Sequence, residues 1–150
     1  MESILPGVVI TPIDIYRDNR GSLLELFRSD LLDNVPVMGY LSYTLPGVAR
    51  GPHEHKYQTD IFVFVDGLVQ LKLWDNRPIT RTKSNLTLMV GKDSPVQVII
   101  PPGIVHGYRN LGISPVLILN FPDKLYKGSG KKEEIDEIRY EDNMDTPFIL

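Results

Sequence analysis

Gly47-Val48-Ala49-Arg50-Gly51-Pro52-His53-Glu54-His55 is the stretch that decides the fold. On a strand, residues i and i+2 project to the same face, so His53 and His55 can converge on one point while Glu54 faces outward. Glu54 is therefore not counted as a ligand. Asp60 lies at an odd offset from both histidines, and Lys56–Thr59 can supply the turn that swings its carboxylate back. The third histidine, His106, arrives in Pro101-Pro102-Gly103-Ile104-Val105-His106-Gly107-Tyr108-Arg109-Asn110, behind a rigid Pro-Pro-Gly corner. Every histidine of the chain thus falls in one of two compact segments.

Outward from these segments the chain is a series of short β-branched and aromatic runs separated by turn residues. The runs are Val8–Ile10, Gly39–Leu45, Ile61–Val65, Leu68–Trp74, Leu86–Val90, Val96–Ile100 and Val116–Phe121. Leu68–Trp74 alternates most clearly, with Val69, Leu71 and Leu73 on one face and Gln70 and Lys72 on the other. Asp66-Gly67, between two runs, reads as a hairpin turn. Many short strands with Gly and Pro in the gaps predict a sandwich or a barrel. Helical signal is confined to Lys131–Ile138, a short C-terminal helix, and to one turn at Ser29–Asp33. The charged, glycine-bearing run Lys127–Asp145 reads as a solvated tail packed over the barrel. Without a repeat or a linker, residues 1–150 form one domain.

Composition narrows the function. The chain has 150 residues, 42% apolar and 23% charged, with a formal charge of −3. No run of Lys and Arg supplies the basic face of a nucleic-acid binder. With no cysteine, disulfides, thiolate catalysis and cysteine-type zinc sites are excluded. The opening Met1–Gly7 lacks the basic and apolar regions of a signal peptide, and no stretch approaches the roughly 20 apolar residues of a membrane span. The expectation is a cytoplasmic protein. Dinucleotide, P-loop and serine-hydrolase motifs are absent.

The two histidine segments resemble the paired signature motifs of the cupin superfamily. In the first, Gly47, His53, His55 and Gly67 fit, with Asp60 in place of glutamate. In the second, Pro101, Gly103, His106 and Asn110 fit. The resemblance implies an all-β double-stranded β-helix, a jelly-roll barrel, with these side chains in its mouth. Three imidazoles and a carboxylate at His53, His55, Asp60 and His106 suit one divalent ion, Fe, Mn, Ni or Zn. Imidazoles titrating near neutral pH equally suit proton transfer, and hydrogen-bonded barrel polar groups are the third possibility.

A second resemblance is closer. Asp18-Asn19-Arg20-Gly21-Ser22-Leu23-Leu24-Glu25, Arg50-Gly51-Pro52-His53, Pro102–Tyr108, Asn120–Tyr126 and Arg139–Asp142 resemble, in order and spacing, segments of dTDP-4-dehydrorhamnose 3,5-epimerases. Those enzymes remove a proton beside a sugar ketone. The resemblance implies His53 as base, Arg50 as enolate stabiliser, Arg20 and Glu25 on the nucleotide, and Tyr126 in the pocket. It departs at three points. The family's active-site lysine falls on Asp60, its catalytic tyrosine falls on Asn120, and the late segment bearing the aspartate partner of the base has no counterpart. Arg50–Lys56 also resembles the R-G-x-H-A-H-K motif of sugar 3,4-ketoisomerases, which use paired histidines and so bring in His55. Tyr108 shares the face of His106 and is a pocket candidate, and Arg109 points away. Trp74 reads as core or rim packing, and Asp75-Asn76-Arg77 as a solvated turn.

The implied function is a nucleotide-sugar epimerase or isomerase. Its substrate would be a dTDP-4-keto-6-deoxyhexose, and it would act as a homodimer in polysaccharide synthesis. The alternatives are a metal-dependent cupin with an unrelated small substrate and a non-catalytic sugar-binding cupin.

Overall fold

The computed structural model describes residues 5–79 and 84–150; Met1–Ile4, at the head of the opening assessed above for a signal peptide, lie outside the described residues. Twelve strands follow one another among the described residues. They are β1 (Val9–Pro12), β2 (Ile15–Asp18), β3 (Gly21–Leu24), β4 (Tyr40–Thr44), β5 (Ala49–Glu54), β6 (Asp60–Phe64), β7 (Leu68–Asp75), β8 (Asn85–Gly91), β9 (Val96–Ile100), β10 (Ile104–Asn110), β11 (Val116–Asn120) and β12 (Ile138–Arg139). One five-stranded antiparallel sheet runs β1-β9-β6-β11-β4, and a second runs β12-β5-β10-β7-β8. Phe62, Phe64, Val98 and Ile118 from the first sheet share one core with Leu71, Leu73, Ile104 and Tyr108 from the second. This is the jelly-roll barrel that the paired histidine segments imply. The alternation along β7 holds, with Val69, Leu71 and Leu73 all buried.

Asp66-Gly67 does not close a hairpin. β6 pairs with β9 and β11, and β7 pairs with β10 and β8, so both strands already have two neighbours and the turn carries the chain from one sheet to the other. Gly67 is required there: its φ is +59°, and a Cβ would lie 2.8 Å from Val116 Cγ2.

The short C-terminal helix is also not formed. Only a single 3-10 turn, Ser129–Lys131, lies in that region. Left-handed backbone at Lys127, Gly128, Gly130 and Lys131 interrupts any helix at its start. The chain then runs extended and adds β12 to the edge of β5. Ser29–Leu31 forms the one turn expected near Ser29–Asp33.

The charged tail is thereby part of the barrel wall. Glu54 faces away from the histidines as expected, yet it is buried, because Tyr140 Oη and Asn76 Nδ2 both donate to its carboxylate. Asp75-Asn76-Arg77 is likewise no solvated turn: Asp75 is buried and accepts from Arg77 Nε at 2.9 Å. Trp74 packs on Phe148 at the barrel's outside. Among the described residues no helix is long and apolar enough to cross a membrane.

Candidate functional site

The two sheets bring the histidines and the aspartate together from opposite sides. His53 on β5 and His106 on β10 are cross-strand partners, with ring centroids 4.5 Å apart. That pairing needs close backbone approach at Gly51, where φ is +81° and a Cβ would meet the His106 carbonyl oxygen at 2.7 Å. His55 lies just past the end of β5, and Asp60 opens β6 in the facing sheet. One donor atom from each of His53, His55, Asp60 and His106 lies within 4.8 Å of the others.

The turn between His55 and Asp60 is held from far away in sequence. The Asp136 carboxylate accepts the backbone N–H groups of Lys56, Tyr57 and Gln58 at 2.8, 2.9 and 2.9 Å. Burial disfavours the Asp136 charge, but these three donors outweigh it and lower its pKa.

Backbone carbonyls fix the ring nitrogens. A carbonyl can only accept, so the contacts of His55 Nδ1 with the Asp136 carbonyl and of His106 Nδ1 with the Ile104 carbonyl put a proton on each Nδ1. The remaining nitrogens, both Nε2, face Asp60 Oδ2 at 3.1 and 3.2 Å. Asp60 Oδ2 and His106 Nε2 are buried and make no aligned hydrogen bond. The other carboxylate oxygen is satisfied by Gln58 Nε2 at 2.8 Å and Asn120 Nδ2 at 2.9 Å. Two unprotonated nitrogens facing one carboxylate oxygen are mutually unfavourable unless positive charge sits among them. Burial opposes ionisation of both partners, and their mutual contacts win. Asp60 is held well below the carboxylate range by His106 and His55, and His55 is raised to about 9 by Asp60 and Asp136.

His53 behaves differently. Burial, then the neighbouring His106 and His55, push its pKa far down, so it is neutral at physiological pH. Its Nδ1 is buried without a hydrogen-bond partner, and Glu137 Oε1 lies 3.6 Å from it.

Two neighbouring cavities open on this cluster. The larger, about 790 Å³, is walled by Tyr40, His53, His55 and Tyr126 together with the 130–137 segment. The smaller, about 330 Å³, is walled by Arg50, Ser42 and Tyr108. Tyr40, His53, Glu137 and Arg139 border both.

The sequence-derived candidates sort accordingly. His53, His55, Asp60 and His106 converge, and Arg50, Tyr108 and Tyr126 reach the cavity walls. Arg50 is steadied by Thr44 Oγ1 at 2.9 Å, and the Tyr108 hydroxyl by Ser42 Oγ at 3.0 Å. Asn120 is not open to a ligand: it is fully buried, and its amide serves Asp60, Tyr40 Oη and the Ile61 N–H. Arg20 and Glu25 do not reach the cavities within this chain. The β2–β3 hairpin pairs with neither barrel sheet, Arg20 is held by Asp18, and Glu25 lines a separate groove under β1. Arg109, expected to point away, donates to the Gly47 carbonyl at 2.8 Å. Sequence reasoning missed Tyr40, Gln58, Asp136 and Glu137. The last two sit in the charged run that reads as solvated, about 80 residues from the histidines they serve, and no local pattern marks them.

Comparison with known proteins gives the family. Residues 16–133 match the polysaccharide biosynthesis C-terminal domain family. The chain belongs to that family. It is 34% identical over 131 residues to the probable low-salt glycan biosynthesis epimerase Agl13 of Haloferax volcanii, covering 85% of this chain and 84% of that one. It is 34% identical over 126 residues to the spore coat polysaccharide biosynthesis protein SpsL of Bacillus subtilis, covering 82% and 83%. A dTDP sugar isomerase from Desulfovibrio desulfuricans has the same fold, with a TM-score of 0.84 at 21% identity over 97% of this chain and 92% of that one. A dTDP-4-dehydrorhamnose 3,5-epimerase from Sulfolobus tokodaii superposes with a TM-score of 0.69 at 24% identity, covering 81% and 72%. The likeness to these two solved structures is one of fold.

Proposed function

We propose that this member of the family is a nucleotide-sugar epimerase or isomerase acting on a dTDP-4-keto-6-deoxyhexose. The observation that carries the reading is His53, kept neutral by burial and its neighbours, at the floor of a sugar-sized cavity with a carboxylate behind it. A 4-keto group acidifies the protons at the adjacent carbons. A neutral imidazole can take one of them, and the Glu137 carboxylate, 3.6 Å from Nδ1, would balance the imidazolium that forms. Arg50, on the wall of the smaller cavity, is the cation for the enolate oxygen. Tyr108 and Tyr126 line the sugar's surroundings. The same reading has the enzyme in the cytoplasm as a homodimer, in which Arg20 and Glu25 would serve the neighbouring subunit's cavity; light scattering that gives a stable monomer mass would reject the dimer.

The test is incorporation of solvent deuterium into a dTDP-4-keto-6-deoxyhexose, followed by NMR. The wild type should exchange protons beside the ketone, and His53→Ala should lose that exchange by about 10²–10⁴-fold. No exchange above the buffer rate in the wild type would refute the reading.

A second reading rests on the orphaned atoms of the cluster. His106 Nε2 and Asp60 Oδ2, buried and 3.2 Å apart without a hydrogen bond, with His55 Nε2 3.1 Å from the same oxygen, suit a divalent cation. His55, Asp60 and His106 would hold it, with His53 as a fourth ligand, and the Nδ1 bonds to backbone carbonyls are the outer contacts that orient metal-binding histidines. A bound ion would supply Lewis acidity toward a keto oxygen. Metal content per chain by plasma mass spectrometry tests this: near-stoichiometric metal lost in His55→Ala and Asp60→Ala supports it, and a wild type that stays metal-free after reconstitution removes it.

A further inference from the structure

Inverting a carbon requires a proton to leave one face and another to arrive on the opposite face. His53 accounts for only one of these. We propose, resting on the epimerase reading, that the Tyr40 hydroxyl is the acid that delivers the second proton.

The walls of the site single it out. Tyr40 lies on β4 of one sheet and His53 on β5 of the other, so the two side chains reach the cavities from opposite walls. Tyr40 is the only tyrosine that, with His53, borders both cavities among the described residues; Tyr57 and Tyr126 wall only the larger one. Tyr108 borders the smaller, but its hydroxyl is engaged by Ser42 Oγ, and the Tyr140 hydroxyl is spent on Glu54. Tyr40 is also positioned. It is the register partner of Asn120, whose Nδ2 donates to Tyr40 Oη at 2.8 Å. Because the phenol oxygen accepts that bond, its own proton is not consumed by it and is available to a ligand. Burial, followed by the Asp60 charge, raises the phenol's pKa, so it remains protonated at neutral pH.

The step balances without a further reactant. The C–H bond beside the ketone breaks, its proton goes to His53, and its electron pair becomes the enolate. The enolate carbon then takes the Tyr40 proton on the other face, restoring the ketone and leaving a phenolate. His53 releases its proton to solvent and the phenolate recovers one from solvent.

The experiment runs the reaction in D2O with a dTDP-4-keto-6-deoxyhexose and reads two quantities by NMR, deuterium incorporation and formation of the inverted sugar. The wild type should show both. Tyr40→Phe should keep incorporation within about threefold, because His53 can still remove and return a proton on its own face, and should lose inversion by about 100-fold or more. Its KM and thermal melting should stay near the wild-type values, which a merely structural role would not predict. A Tyr40→Phe that inverts at the wild-type rate overturns the assignment alone, as does a wild type that exchanges without inverting. A wild type that does neither overturns the epimerase reading and the assignment with it.

Discussion

Replacing Asp136 with alanine should both destabilise the protein and disable the site, and the size of the first effect can be worked from the hydrogen bonds. The carboxylate accepts three backbone N–H groups, at 2.8–2.9 Å, from the turn that joins His55 to Asp60. A hydrogen bond to a charged partner contributes about 1.5–3 kcal/mol when well shielded. Asp136 is only half-buried, so water would recover part of each bond, and about 1 kcal/mol apiece gives ~3 kcal/mol for Asp136→Ala. Asp136→Asn keeps one acceptor oxygen and should cost about half as much. For a chain of this size each kcal/mol lowers Tm by roughly 2–4 °C, so the alanine variant should melt about 6–12 °C lower. The sign with pH is set by the lowered pKa of Asp136. Its stabilisation is present above the unfolded carboxylate pKa and disappears as pH falls through the folded value, so the two proteins should converge in acid. Urea denaturation at pH 7 and at successively lower pH measures this directly. A loss under about 1 kcal/mol at pH 7, or a gap that persists unchanged into acid, would refute the claim that this carboxylate holds the turn.

Three further outcomes are expected. Gly51→Ala places a methyl 2.7 Å from the His106 carbonyl oxygen at a φ of +81°, so β5 must shift from β10; a loss of about 2 kcal/mol or more with impaired proton exchange is expected, and a melt unchanged from wild type would contradict it. Phe64→Ala empties a fully buried site between the sheets and should cost about 3–5 kcal/mol by denaturant titration, without altering which proton the surviving folded enzyme exchanges. In chelator-treated protein, His55 is raised from 6.5 to about 9, so its contribution is complete below pH 6.5 and is lost as pH rises through 9. Stability should therefore fall over that window more steeply in the wild type than in His55→Gln, and equal slopes would contradict the pairing with Asp60.

The barrel was legible because its signals are local. Alternation along Leu68–Trp74 and the i, i+2 spacing of His53 and His55 depend only on strand geometry, and both hold. The failures share one cause. Asp66-Gly67 has the chemistry of a tight turn, but whether a turn closes a hairpin or changes sheets depends on which strands flank its neighbours, and those lie about 20 to 55 residues away. The 131–138 run has helical composition, yet the glycines before it and the attachment of Asp136 and β12 to β5 draw it out straight. Glu54 was correctly placed on the outer face, but nothing near it in sequence says that Tyr140 will cover that face. For the same reason Glu137 could not be recognised as the carboxylate behind His53.

The central ambiguity of the site, proton or cation, leaves the role of His53 less exposed than it first looks. With Nδ1 of His55 and His106 committed to backbone carbonyls, an ionised Asp60 needs positive charge beside it. In the metal-free cluster that charge is the proton on His55, which also disfavours a second proton on His53 and so preserves a neutral base. A divalent ion held by His55, Asp60 and His106 would exert the same repulsion. Either occupant therefore leaves His53 unprotonated, and proton abstraction survives where the ion stops at those three ligands. Only an ion that also engages His53 removes the base, since a nitrogen lone pair cannot serve two partners. His53→Ala separates these cases: metal retained at wild-type stoichiometry with proton exchange abolished keeps His53 as the base, and metal lost along with His53 makes it a ligand and sends the search for the base elsewhere in the cavity.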